Sequence, residues 1–181
     1  MASAQSGPKT EKTKKTRQYM APNGLMQVSI VPVGKVPARA KYESRVEFLS
    51  VDRTLVCALD FSSEDSEHGF GVVKAEWTPD SQYFVFSLTS SGGHQSWHSP
   101  TQFYSRKDGT VRSLNDYFEA GISESDFRII APNTVKTKVW EDKAVPVSVM
   151  LDKPPRARYG GGNKPFTIRC MEGAEVKVED P

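Results

Sequence analysis

Three histidines, His68, His94 and His98, are the residues whose side chains could do chemistry at neutral pH, and two of them share one segment, Leu88-Thr-Ser-Ser-Gly-Gly-His-Gln-Ser-Trp-His-Ser-Pro100. Imidazoles at i and i+4 share a face only on a helix, and Gly92, Gly93 and Pro100 oppose a helix there, so the spacing of His94 and His98 carries no ligand geometry. No metal or other cofactor is therefore expected. A small hydrolase or metal-dependent enzyme using His68, His94 and His98 stands as the alternative. The same segment carries Trp97, and with Tyr104 just beyond it the pair offers a stacking surface for a sugar, a peptide or a base. A bland arrangement, in which Trp97 and the histidines fold back over the sheet, uses the same residues. The binding candidates are His94, Trp97, His98 and Tyr104.

Other chemistry finds little to stand on. The acidic run Asp60-Phe-Ser-Ser-Glu-Asp-Ser-Glu67 has carboxylates for calcium but lacks the spacing and glycine of an EF-hand loop, and reads as a solvated loop. There is no Gly-x-Ser-x-Gly elbow, no His-Glu-x-x-His and no phosphate-cradling glycine loop between a strand and a helix; Gly160-Gly-Gly162 follows Pro154-Pro155 and reads as linker. Cys57 sits in the apolar alternation Leu55, Cys57, Leu59, Phe61 and reads as a buried small hydrophobe, not a nucleophile. The expectation is a protein that is not an enzyme.

The 181 residues suit one domain with tails, and a composition 37% hydrophobic supports a real core. A net charge of +2 supplies no large field, so no nucleic-acid partner is expected. No window reaches the roughly 18 apolar residues of a membrane span. Residues 1–23, with Lys9, Lys12, Lys14, Lys15 and Arg17 among small polar residues, read as a disordered tail. Residues 24–153 read as a β domain. Within it Met26–Val33 alternates, Ser44–Val51 and Thr54–Phe61 flank Asp52-Arg53 as a hairpin, and Thr134–Trp140 and Val145–Leu151 form another, with Pro146 confined to an edge or a bulge. Helical signals are limited to a turn or two after Leu114 and a start at Ser123-Glu-Ser-Asp126. Residues 154–181 read as a Pro/Gly linker and a weakly structured segment with two short strands, one over 165–170 and one over 175–178. The fold class is all-β.

The stretch from Gly69 to Tyr117 is the clearest unit. Four apolar-alternating runs, Gly71–Trp77, Gln82–Leu88, Thr101–Ser105 and Thr110–Leu114, are joined by Thr78-Pro-Asp-Ser81, by the histidine loop and by Asp108-Gly109. In Tyr83–Leu88 both faces are apolar, with Phe84, Phe86 and Leu88 on one and Tyr83 and Val85 on the other, which requires cover on both sides. Trp77-Thr-Pro-Asp-Ser-Gln-Tyr-Phe-Val-Phe86, followed by Gln102–Leu114, resembles one WD40-like or TolB-type β-propeller repeat over about 69–117. Ser81 stands where that pattern usually has Gly, which leaves the positive φ of that turn position open. The resemblance implies blade-like antiparallel sheets. A closed propeller needs about four blades or more, and three sheet-like units are visible (Met26–Phe61, Val72–Leu114 and Phe127–Leu151), so a sandwich or an incomplete propeller is expected, with subunits completing one another as the other route.

Much of the chain also resembles bacterial exported proteins that carry a propeller-like repeat, and this implies no known activity. Met1-Ala-Ser-Ala is compatible with the small-residue end of a removed signal peptide, which points to a periplasmic or extracellular protein; a cytoplasmic chain beginning Met-Ala-Ser is the alternative. Cys57 and Cys170 either pair or remain two buried thiols. The function expected is a binding or scaffolding module of the bacterial envelope using the 89–100 loop, with a carbohydrate-binding domain stacking on Trp97 and Tyr104 as a further alternative. Its partner is an unknown protein or glycan, and it has room to oligomerise.

Overall fold

The computed structural model describes residues 15–34, 42–93, 99–118, 121–154, 166–179 and 181. They form thirteen strands: β1 Arg17–Met20, β2 Met26–Val33, β3 Glu43–Ser50, β4 Leu55–Asp60, β5 Phe70–Trp77, β6 Tyr83–Ser90, β7 Thr101–Ser105, β8 Thr110–Ser113, β9 Arg128–Ile130, β10 Thr134–Trp140, β11 Ala144–Met150, β12 Thr167–Arg169 and β13 Ala174–Lys177. One 3-10 turn, Leu114–Tyr117, follows β8. The strands make a first sheet ordered β1-β2-β3-β4-β13, a central sheet β12-β8-β7-β6-β5 and a third sheet β11-β10-β9. None closes on itself, and the all-β, sandwich-like architecture expected from the sequence is what is found.

The three sheets stack because β6 is apolar on both faces. Phe84, Phe86 and Leu88, with Tyr104 and Val111 from β7 and β8, meet Val28, Ile30, Val46, Phe48, Cys57 and Leu59 of the first sheet. From the opposite face of the central sheet, Tyr83, Val85 and Phe103 meet Val135, Val139 and Val149 of the third. Phe84 is fully buried and its ring has four aromatic neighbours, at centroid distances of 5.6 Å to Tyr19, 6.3 Å to Phe48, 5.2 Å to Trp77 and 6.0 Å to Phe86. The Trp77 indole N–H also donates to the Tyr19 carbonyl at 3.0 Å, which fastens β1 to the central sheet.

Turn chemistry follows the residues. At Thr78–Ser81 the Ser81 amide donates to the Thr78 carbonyl, and Asp80 Oδ1 accepts from the Gln82 amide at 3.0 Å. Ser81 itself takes the left-handed conformation, φ +60°, that glycine would adopt without cost. The Asp52-Arg53 hairpin forms, with Arg53 also left-handed at φ +67°. Pro146 lies on β11, an edge strand of the third sheet, as its missing donor requires.

Several expectations are corrected. The disordered tail expected over residues 1–23 does not hold for its described part, because Arg17–Met20 pairs with β2 in the register Arg17↔Ile30 to Met20↔Gln27, and the Arg17 guanidinium donates to the Val72 and Val73 carbonyls; residues 1–14 lie outside the described residues. The C-terminal segment is not loose over its described part: β12 adds to β8 and β13 runs parallel to β4, in two different sheets. No helix starts at Ser123–Asp126; Ile122 bridges Val139, and the Ser123 amide donates to the Lys138 carbonyl, so β10 claims that backbone. The linker at 155–165 lies outside the described residues.

Cys57 and Cys170 are joined in a disulfide with Cα atoms 5.3 Å apart and stand 113 positions apart in sequence. Cys57 is thus both buried and paired. The bond ties β4 to the segment between β12 and β13, where the chain passes from the central sheet to the first. Replacing both cysteines with alanine should cost about 3–5 kcal/mol, since a loop of this size is released in the unfolded chain. Phe84→Ala should cost about 3–5 kcal/mol. Urea unfolding checks both, and a loss under about 1 kcal/mol for Phe84→Ala would contradict its place at the centre of the aromatic cluster.

Candidate functional site

Among the described residues the buried charge belongs to Glu43, the first residue of β3, which is 1% exposed. Its carboxylate accepts four hydrogen bonds: Oε2 from the Ser63 amide at 2.8 Å, and Oε1 from Ser63 Oγ at 2.7 Å, the Gly69 amide at 2.8 Å and Ser91 Oγ at 2.8 Å. A lone buried carboxylate is costly, and this one is held by donors on every side. Burial pushes its pKa up, but the bonds from Ser63, Ser91 and Gly69 outweigh that and hold it below the ordinary glutamate value.

These donors come from two different connections. Ser63 and Gly69 bound the acidic loop between β4 and β5, and Ser91 begins the histidine loop between β6 and β7. Glu43 itself follows the connection from β2. Gly34 at the start of that connection has φ +77°, and a Cβ there would lie 2.7 Å from Ser66 Oγ and 3.6 Å from Glu43 Oε2. Gly69 is equally constrained, since its Cβ would fall 2.4 Å from the Phe61 carbonyl oxygen and 2.5 Å from Glu43. One carboxylate therefore gathers the stems of three connections at one end of the first and central sheets.

The histidine loop is pinned at both stems. Ser91 donates its amide to the Gly69 carbonyl at 2.9 Å, Leu88 donates to the Pro100 carbonyl at 2.8 Å, and Ser99 donates to the Ile122 carbonyl at 2.9 Å. The Thr101 amide donates to Asn115 Oδ1 at 3.0 Å, which sets the first residue of β7. His94, Trp97 and His98 lie outside the described residues. Tyr104, expected beside Trp97 as a stacking platform, is instead only 3% exposed, with its ring stacked on Phe48 at 4.3 Å. On β7 it alternates onto the face toward the first sheet, so its ring is core and offers no platform to solvent.

His68 stands on the acidic loop, where its Nδ1 lies 2.5 Å from Asp65 Oδ2. Asp65 Oδ1 accepts from the Glu67 amide at 2.9 Å and lies 2.9 Å from Ser63 Oγ, whose one proton is shared with the nearer Glu43, and the Glu67 amide bond, followed by His68, holds this carboxyl well below the usual aspartate range. Asp60 receives the Ser62 amide at 2.9 Å and Lys177 Nζ at 3.1 Å. The carboxylates at 60 and 65 thus fold the loop, and among the described residues no group of three or more His, Cys, Asp or Glu is placed to hold a metal ion.

Glu43 had no sequence signal of its own. Its donors sit 20, 26 and 48 positions away, and a single Glu at the head of a strand looks like any solvated one. Comparison with known proteins finds no matching family model, no matching curated protein and no matching solved structure.

The clamp predicts a pH signature. A carboxyl lowered in the folded state contributes stability that is complete above the ordinary glutamate value of 4.5 and is lost as pH falls through the lower folded value. Glu43→Gln should cost on the order of 2–4 kcal/mol at pH 7, because the amide cannot accept all four donors. The gap to wild type should narrow at pH 3, and denaturant unfolding at both pH values checks it.

Proposed function

We propose that the chain is a non-enzymatic binding module whose interaction surface is the 89–100 loop, carried on a propeller-like stack of blades. The single observation carrying this reading is the Glu43 clamp: a buried carboxylate binds the stem of that loop, through Ser91 Oγ at 2.8 Å, to the neighbouring connection through Ser63 and Gly69. Loops fixed at their stems on a rigid β scaffold are where binding residues concentrate. With Tyr104 committed to the core, the residues left to make contact are His94, Trp97 and His98. The partner is a protein or a glycan.

The Cys57–Cys170 disulfide supports an oxidising compartment, and with it a periplasmic or extracellular setting. No helix of the described residues is long and apolar enough to cross a membrane.

The test is comparative capture. Immobilised wild type and the triple variant His94→Ala/Trp97→Ala/His98→Ala are exposed to a cell-envelope extract of the source organism and the bound material is quantified. The reading expects a species enriched on wild type and lost on the variant while both proteins keep the same thermal midpoint. Equal enrichment on both would remove the loop as the contact surface.

A further inference from the structure

The outward face of the third sheet is built unlike the rest of the surface. Alternation along β10 sends Val135, Thr137 and Val139 inward and leaves Lys136, Lys138 and Trp140 outside, at steps of about 6.7 Å. In the sheet register Lys136 lies directly opposite Arg128 on β9, a like-charge pair that costs stability. Neither of these two cations makes an ion pair among the described residues, whereas Lys138 reaches Glu124 at 2.9 Å. On the other side their neighbours on β11 are short: Lys136 faces Ser148, Lys138 faces Pro146 and Trp140 faces Ala144. The cations and the indole therefore stand above a low floor.

Trp140 is 58% exposed, a large apolar ring that the fold leaves in water. Beside it lies a hollow of about 180 Å³ lined by Ser123, Glu124, Trp140 and Ala144. An exposed indole next to a small hollow with two oxygen acceptors is the chemistry that holds a sugar ring: Ser123 Oγ donates to the Lys138 carbonyl at 3.3 Å and Glu124 Oε1 receives Lys138 Nζ at 2.9 Å, so the ring's C–H face lies on the indole and its hydroxyls donate to the remaining lone pairs of Ser123 and Glu124. Further along the same face, the opposed pair Lys136 on β10 and Arg128 on β9 is complementary to a carboxylate, which would also relieve their mutual repulsion.

We propose that this face binds an acidic, carboxylate-bearing polysaccharide running along β10, with one sugar on Trp140 and a uronate carboxylate about 13 Å away between Arg128 and Lys136. A nucleic acid fits less well. Its affinity rests on neutralising many phosphates, about 6–10 in strong binders, and this face offers three cations, one already engaged by Glu124, on a chain of net charge +2. The inference does not depend on the reading given for the 89–100 loop.

The probe is polygalacturonate, titrated against the full chain with indole fluorescence and affinity electrophoresis as readouts, beside neutral dextran and oligothymidylate. Trp140→Ala and Lys136→Glu should each weaken polygalacturonate binding by about tenfold or more. Because Glu at 136 would face Arg128 with opposite charge, Lys136→Glu should leave the thermal midpoint unchanged or higher, so that its loss of binding is not a loss of fold. Absence of polygalacturonate binding, binding unaltered in both variants, or affinity for dextran or oligothymidylate equal to that for polygalacturonate would each overturn the proposal.

Discussion

Everything in this fold depends on the strand Tyr83–Ser90 having no solvent face. A strand apolar on one side needs one covering layer; this strand needs two, and the chain supplies them from the sequence on either side of it. Phe84, Phe86 and Leu88 recruit the first sheet, while Tyr83 and Val85 recruit the third. The stacking order is thus set by a run of aromatic and aliphatic residues at its centre, and the outer sheets are free to be apolar inside and polar outside. This asymmetry leaves the outer faces available for other chemistry.

Much of this was readable from residues. The alternation of Gly71–Trp77 and Gln82–Leu88, the Pro79-Asp80 turn and the Asp108-Gly109 turn each carry local information, and local information sufficed for the four-stranded meander and both hairpins. The double burial of the central strand was visible for the same reason. What could not be read is what depends on distant partners. Arg17–Met20 is a strand because β2 has an open edge and because Trp77 and the Val72 carbonyl offer it bonds, not because Arg-Gln-Tyr-Met says so. Tyr104 looked like a platform because an aromatic near a loop is ambiguous until the strand's phase against the first sheet is known. The disulfide was one of two open arrangements, since its halves are far apart in sequence.

The functional end was only half legible. The histidine loop announces itself by length and composition, but the group that fixes its stem is Glu43, whose four bonds come from three residues spread over the chain. The same carboxylate demands Gly69 by leaving no room for a Cβ. Loop positions and core geometry are therefore one problem here: the clamp forms only where the first and central sheets have already met. The C-terminal segment closes the arrangement from the other side, with β12 in the central sheet, β13 in the first and the disulfide between them.

Native-state amide hydrogen exchange, resolved by residue, addresses the central strand directly. Amides of β6 and β7 that pair with each other should exchange only through global unfolding, more slowly than any amide of β1, β9 or β11, because both faces of their sheet are covered. Exchange at Phe84 to Leu88 as fast as in those edge strands would mean that the central layer opens on its own, and the account of a stack organised around it would be wrong.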